Sequence, residues 1–192
     1  MKIIPRSLLA ALLLLTGLHA QAQQPARLEL CVACHGPQGN SQNPQIPSLA
    51  GQPRIFVENQ LVLIREGLRD IPTMKGVLDG LSDPDLIALA QYFAAQKPAP
   101  MPAGVDAARY QRGKELAAQS LCGSCHLPTY QGREQVPRLA GQQEAFLREV
   151  MLEYRDKPGP GRDTVMTNAL RGFTDDQLDD MAHFLAHFGK QP

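Results

Sequence analysis

One five-residue pattern occurs twice in this chain of 192 residues, as Cys31-Val32-Ala33-Cys34-His35 and as Cys122-Gly123-Ser124-Cys125-His126. Together the two copies use every cysteine in the sequence. Cys-x-x-Cys-His reads as a site of c-type haem attachment. Two thiols about one helical turn apart suit addition to the two vinyl groups on one porphyrin edge. The next residue then lies beneath the ring, where its imidazole reaches the iron, and His is a good proximal ligand for haem iron. Zinc ribbons place their Cys pairs about 15–20 residues apart, whereas 87 residues separate Cys34 from Cys122. A thioredoxin-like pair needs a βαβ setting, and no such pattern is present. Disulfides within each motif would be strained and would leave both histidines unexplained.

The pattern belongs to a longer duplication. Pro47-Ser48-Leu49-Ala50-Gly51-Gln52 returns as Pro137-Arg138-Leu139-Ala140-Gly141-Gln142, Leu81-Ser82-Asp83 as Phe173-Thr174-Asp175, and Tyr92-Phe93 as Phe184-Leu185. Between the copies, Lys97 to Gly104 contains three prolines, the mark of a semi-rigid linker. The expected organisation is one domain over 23–97, a Pro-rich linker over 98–104 and a second domain over 105–192. Units of about 80 residues are small for a self-sufficient core, and a covalent haem would supply much of it.

Residues 1–22 read as a cleaved signal peptide. Lys2 and Arg6 precede an apolar run from Leu8 to Leu18, and Ala20-Gln21-Ala22 is a small-x-small cleavage site. The run is too short to span a bilayer, which takes about 20 residues. Export to the periplasm with cleavage near Ala22 is therefore expected. The whole chain carries 19 basic and 19 acidic residues, a balance that offers nothing to nucleic acid.

Periodicity indicates an all-α fold. Ser82 and Thr174 are placed as N-caps, with Asp85 and Gln177 three residues on. Leu86, Leu89, Ala90 and Phe93, and likewise Leu178, Met181, Ala182 and Leu185, then follow at helical spacing. Middle helices are expected over 54–65 and 143–155. A helix over 107–119 leads into the second motif, with Gly113 small enough for a close helix crossing. The first copy begins about eight residues before Cys31, so its opening helix must be short. The sixth iron position points to Met74 and Met166, each seven residues before the cap segment and each expected in a loop. Met151 and Met181 align with Leu61 and Leu89 and read as helix core. His183 and His187, at i and i+4 on the last helix, read as a solvated face near its C-terminus rather than a metal site. Asp175, Asp176, Asp179 and Asp180 read as decoration of the helix N-terminus. With both iron faces filled and no acid–base pair or nucleophile constellation evident, the reading is an electron carrier and not an enzyme.

These linked motifs, in fixed order and twice over, resemble the di-haem cytochrome c4 family of class I cytochromes c. The resemblance implies two tandem helical domains, each wrapped around one covalent haem c, shuttling single electrons in the periplasm. By position it implies that Cys31, Cys34, Cys122 and Cys125 hold haem, that His35 and His126 are proximal and that Met74 and Met166 are distal. It also suggests that the Pro47 and Pro137 carbonyls accept the proximal His Nδ1–H. Redox partners of such a carrier would be proteins such as a haem–copper terminal oxidase or a quinol-oxidising complex, with membrane-surface association through partners only. The alternatives are a fixed cytochrome subunit of a periplasmic dehydrogenase complex and a di-haem peroxidase-type enzyme. Copy two departs from the pattern at Leu127-Pro128-Thr129-Tyr130, where copy one has the more usual Gly36-Pro37-Gln38-Gly39, and details of the first copy are not extended to that loop.

Overall fold

In the computed structural model the structure describes residues 24–100 and 104–190, and the expected signal peptide lies outside them. The regular secondary structure over the described residues is helical, with an isolated bridge between Arg133 and Val136. Among the described residues eight α-helices occur: α1 (Leu28–His35), α2 (Arg54–Arg65), α3 (Asp83–Ala94), α4 (Ala107–Gln119), α5 (Cys122–His126), α6 (Glu144–Asp156), α7 (Thr164–Leu170) and α8 (Asp175–Ala186). No helix among the described residues is long and apolar enough to cross a membrane.

The apolar residues collect into two cores. In the N-terminal half Leu28, Cys31, Leu78, Leu81, Leu86, Leu89 and Phe93 are buried together. In the C-terminal half Leu147, Met151, Leu178, Met181, Phe184 and Leu185 belong to a larger cluster. Both expected capping boxes are formed. Ser82 N–H donates to Asp85 at 2.9 Å, and Thr174 N–H donates to Gln177 at 2.9 Å. Each half also repeats a clamp that the sequence does not advertise. Arg65 donates to the Leu81 carbonyl at 3.1 Å and pairs with Asp83 at 2.8 Å. Arg155 donates to the Phe173 carbonyl at 2.8 Å and pairs with Asp175 at 2.7 Å. An arginine ending the middle helix therefore grips the start of the last one.

The halves differ in what precedes the Cys motif. Helix α4 crosses α8 at Gly113, where an added Cβ would stand 2.0 Å from the Asp180 carbonyl oxygen and 2.8 Å from Phe184 Cβ. Only glycine permits that approach. The acidic cluster is not mere decoration of a helix end. Asp180 is buried and takes a two-pronged contact from Arg112 at 2.7 and 2.8 Å, and Asp179 pairs with Arg109 and Arg148 at 3.0 Å. The expectation for His183 and His187 is also overturned, since they are only 2% and 7% exposed. They lie where α8 faces α4 and α6. Their counterparts on α3, Gln91 and Ala95, are exposed.

His183 has a defined tautomer. Its Nε2 accepts the Asp106 backbone N–H at 3.0 Å, so the ring proton is on Nδ1, which donates to Glu144 at 2.8 Å. His187 Nε2 approaches the same Glu144 oxygen at 3.5 Å, and Arg109 holds the other at 2.8 Å. Asp106 is in turn the N-cap of α4. The cluster thus pins the start of α4 to α6 and α8.

The Pro-x-Leu-Ala-Gly-Gln segments join the halves by a reciprocal exchange. Gln142 Oε1 accepts from Ser48 N at 2.7 Å while its Nε2 donates to Ser48 O at 2.9 Å. Gln52 Oε1 accepts from Arg138 N at 2.9 Å while its Nε2 donates to Arg138 O at 2.9 Å. Both glutamines are buried. Each side chain therefore pairs with one residue's backbone as a neighbouring strand would. Gln143 donates to Ser41 O at 2.7 Å and Phe146 N to Pro44 O at 3.0 Å on the flank of this joint.

Two measurements test this packing. Gly113→Ala should lower stability by about 1–3 kcal/mol through overpacking, whereas Gly159→Ala, which meets nothing within 4 Å, should stay within about 0.5 kcal/mol; thermal unfolding compares them. Burial tends to raise the Glu144 carboxyl, but the His183 hydrogen bond and the Arg109 charge outweigh it and hold the group below its ordinary value of 4.5. A carboxylate so depressed stabilises the fold above its unfolded pKa, and that stability is lost as pH falls through the folded value. Glu144→Gln should cost about 1–3 kcal/mol at neutral pH and flatten the decline in unfolding temperature below pH 4.5.

Candidate haem-binding sites

Helices α1 and α5 each end on the histidine of a Cys-x-x-Cys-His motif. The two thiols of a motif, three residues apart on a helix, stand about one turn apart. All four are free thiols. In each pair the first is the more enclosed: Cys31 is buried and Cys122 half-buried, while Cys34 and Cys125 are exposed. Burial pushes the Cys31 and Cys122 thiols above their usual range.

The histidines have matching surroundings. His35 Nδ1 lies 2.8 Å from the Pro47 carbonyl, and His126 Nδ1 lies 2.9 Å from the Pro137 carbonyl. A carbonyl only accepts, so Nδ1 carries the proton and Nε2 keeps its lone pair. Burial pushes both imidazoles below their ordinary value, with the carbonyl bond pulling weakly the other way. A neutral imidazole with a free Nε2 is what an iron ligand requires. The free thiol pair, the helical spacing and the ring tautomer all fit a covalently attached haem.

The loop after each motif shares its entry geometry and its closing hydrogen bonds despite its different sequence. Gly36 has φ 78° and ψ 168°, and Leu127 has φ 68° and ψ 157°. Gly39 N donates to Gly36 O and Tyr130 N to Leu127 O, both at 2.9 Å. The carbonyls of Gly39 and Tyr130 then each receive two N–H groups, from Leu49 and Ala50 and from Leu139 and Ala140. The departure at Leu127 to Tyr130 thus keeps the hydrogen bonds at both ends of the turn, while the left-handed φ of Gln38 at 56° is not repeated at Thr129. Left-handed backbone at a non-glycine residue costs about 1–2 kcal/mol. Tyr130 offsets this by packing edge-on against Phe184 at 5.5 Å and Phe188 at 4.9 Å. In copy one the large ring comes from the other side: a Cβ on Gly39 would strike Phe93 at 2.7 Å, and the partner of Phe93 in copy two is the smaller Leu185.

Met74 ends a short 3-10 turn (Pro72–Met74) and is half-buried. Met166 is also half-buried, but it lies inside α7 and not in a loop. The N-cap Asp163 starts that helix by accepting from Met166 N at 2.9 Å. Met166 packs on the same core cluster as Cys122 and Leu139. Met151 and Met181 are buried helix-core residues, as their alignment implied. Glu144, His183 and His187 could together approach one cation, but the backbone N–H on His183 Nε2 and the Arg109 contact on Glu144 already account for the arrangement. Sequence reasoning did not anticipate the roles of Gln52, Gln142 and Arg138 at the joint; their only signal was the repetition of the hexapeptide itself.

Comparison with known proteins gives a consistent pattern. The family model described as cytochrome c matches residues 110–188. Cytochrome c4 of Azotobacter vinelandii is 36% identical over 162 residues, covering 74% of this chain and 77% of its own length. The thiosulfate dehydrogenase electron acceptor of Thiomonas intermedia is 34% identical over 181 residues, covering 86% of this chain and 81% of its own length. The crystal structure of reduced recombinant cytochrome c4 from Pseudomonas stutzeri superposes with a TM-score of 0.78 at 28% identity, covering 85% of this chain and 95% of that one.

Proposed function

We propose, since this chain belongs to the cytochrome c4 family, that it carries single electrons in the periplasm through two haems, each ligated by one His and one Met. At the level of the family it is a di-haem electron-transfer cytochrome with the class I cytochrome c fold and covalently bound haem c. The finer assignment places one haem on Cys31 and Cys34 with His35 and Met74, and the other on Cys122 and Cys125 with His126 and Met166. The units are residues 23–97 and 105–192, joined by 98–104 after removal of 1–22. The apolar run behind Lys2 and Arg6 supports export.

The observation that carries this reading is the duplicated neutral imidazole, held with Nε2 free one residue beyond a pair of free thiols. A haem so attached changes oxidation state by one electron, and Met ligation raises its potential. The chain's own residues do the rest. The Pro47 and Pro137 carbonyls fix ring orientation and raise ligand basicity. The buried glutamine exchange keeps the two proximal loops in one relative position. A rigid joint of this kind suits electron exchange between two centres on one chain. Redox partners of the kinds expected from the resemblance, a terminal oxidase or a quinol-oxidising complex, would dock transiently.

A second reading draws on the likeness to the thiosulfate dehydrogenase electron acceptor of Thiomonas intermedia. In that reading the same two haems serve as the cytochrome partner of a periplasmic dehydrogenase. Gentle lysis followed by size-exclusion chromatography separates the cases, since a dehydrogenase partner would co-elute and a free carrier would run alone.

The intact mature protein should exceed its chain mass by two haems in mass spectrometry; one or none would refute the assignment. Met74→Ala and Met166→Ala should each remove roughly half of the Met–iron charge-transfer absorption and lower one of the two midpoint potentials. A variant that leaves both unaltered identifies a wrong ligand. Native protein should not bind carbon monoxide rapidly at either haem, whereas each Met variant should bind it at one.

A further inference from the structure

A second contact joins the halves, apart from the glutamine exchange. Gly161, in the stretch between α6 and α7, has φ 76°. A Cβ there would stand 2.5 Å from the Leu68 carbonyl oxygen and 3.0 Å from Arg69 Cβ. Leu68 and Arg69 lie in the corresponding stretch of the first half, between α2 and Met74. The left-handed backbone and the close approach both require glycine at this point. Backbone of one half therefore rests directly on backbone of the other.

Each side of the contact leads straight to a methionine. Met74 lies five residues beyond Arg69, and Met166 five residues beyond Gly161. The chain between is tied down on both sides. Arg69 N donates to the Leu63 carbonyl at 2.9 Å, and Met74 N to the Ile71 carbonyl at 2.8 Å. In the second half Asp163 accepts from Met166 N at 2.9 Å. The two stretches are also braced alike. Arg69 donates to Gln60, and Arg162 donates to Glu153 at 2.8 Å, each partner nine residues back on a middle helix. Gln60 is uncharged, so the Glu153 carboxylate serves two cations, one from each half. Burial pushes the Arg69 guanidinium below its ordinary value and Arg162 adds to this, while Tyr154 and Glu153 of the other half oppose it. Without that carboxylate two like charges would face each other across the contact.

We propose that Gly161 is a positioning residue for Met74 of the opposite half as well as for Met166 of its own, because the two methionine segments hold their ligands in place by leaning on each other. The inference rests on the Met ligand assignment made above. Neither segment is self-supporting. Met74 ends a turn of three residues and α7 has seven, and helices that short are marginal without outside contacts. A methyl group at residue 161 meets a carbonyl rather than a flexible side chain, so the two backbones must part. The displacement then runs along a short, tied stretch to each sulfur.

The test uses holoprotein carrying Met166→Ala, in which Met74 alone can give a Met–iron charge-transfer band. Adding Gly161→Ala, a change in the second half, should remove most of that absorption and open the first haem to carbon monoxide at full haem content. Gly159→Ala in the same protein, which meets nothing within 4 Å, should leave the band intact. An unaltered band with Gly161→Ala overturns the proposal, as does an equal loss with Gly159→Ala. A Met166→Ala protein with two haems and no Met–iron band would instead refute Met74 as a ligand. If Gly161→Ala does not retain both haems, Glu153→Gln in the same protein decides. It keeps the side-chain shape and leaves the facing guanidinium groups without their shared carboxylate. The Met74 band should then disappear further ahead of helix unfolding in a urea titration than it does in the parent. An unchanged gap between the two transitions overturns the proposal.

Discussion

Each half of the molecule is organised by one hydrogen bond, from the histidine Nδ1–H to a proline carbonyl. In copy one it joins His35 to Pro47 at 2.8 Å, and in copy two His126 to Pro137 at 2.9 Å. The bond fixes which ring nitrogen carries the proton and so which one faces the iron. It also anchors the start of the hexapeptide that ends in Gln52 or Gln142. The same short segment orients a ligand at one end and holds the opposite half at the other. Ligand geometry and the relation between the halves are thus coupled through six residues.

Duplication supplied the pattern, and unequal substitution made the copies distinct. Gly39 with Phe93 in one half is replaced by Tyr130 with Leu185 in the other, a trade of ring for ring across the same contact. Helix α4 covers a face of α8 whose counterpart on α3 is open. That cover is why His183 and His187 are buried while Gln91 and Ala95 are exposed. A group with polar atoms is tolerated there because Asp106, Glu144 and Arg109 meet it. Asymmetry of this kind is a physical route by which two similar centres acquire different properties, since potential responds to local charge and burial as well as to the ligands.

Much of the fold was legible from residue order. Middle helix α2 ends where the sequence placed it, α4 does so at both ends, and the two capping boxes form between the anticipated residues. Local rules reach this far because caps, helical period and glycine size act within a few residues of one another. Gly113 could be singled out for the same reason, as absence of a side chain is visible in sequence. The buried-face errors lie where distant segments meet. His183, His187 and Asp180 look like a solvated helix face until α4 and α6 pack over them. Met166 was expected in a loop, but the Asp163 cap starts a helix through it. Leu127 to Tyr130 appeared to break the repeat, yet backbone hydrogen bonds keep both ends of the turn and the side chains adjust around it.

The sequence by itself determined the chemistry: two pairs of thiols, each followed by a histidine, in an all-helical chain made of two copies. Those features depend on residue type and short spacing, which covalent attachment to one porphyrin edge demands. Only the tertiary structure decided how the copies face each other and that Arg138 is buried at the joint without an acidic partner. These depend on groups 86 to 94 residues apart in the chain. Their hydrogen bonds exist only once the backbone has brought both hexapeptides together, and no local pattern encodes that meeting.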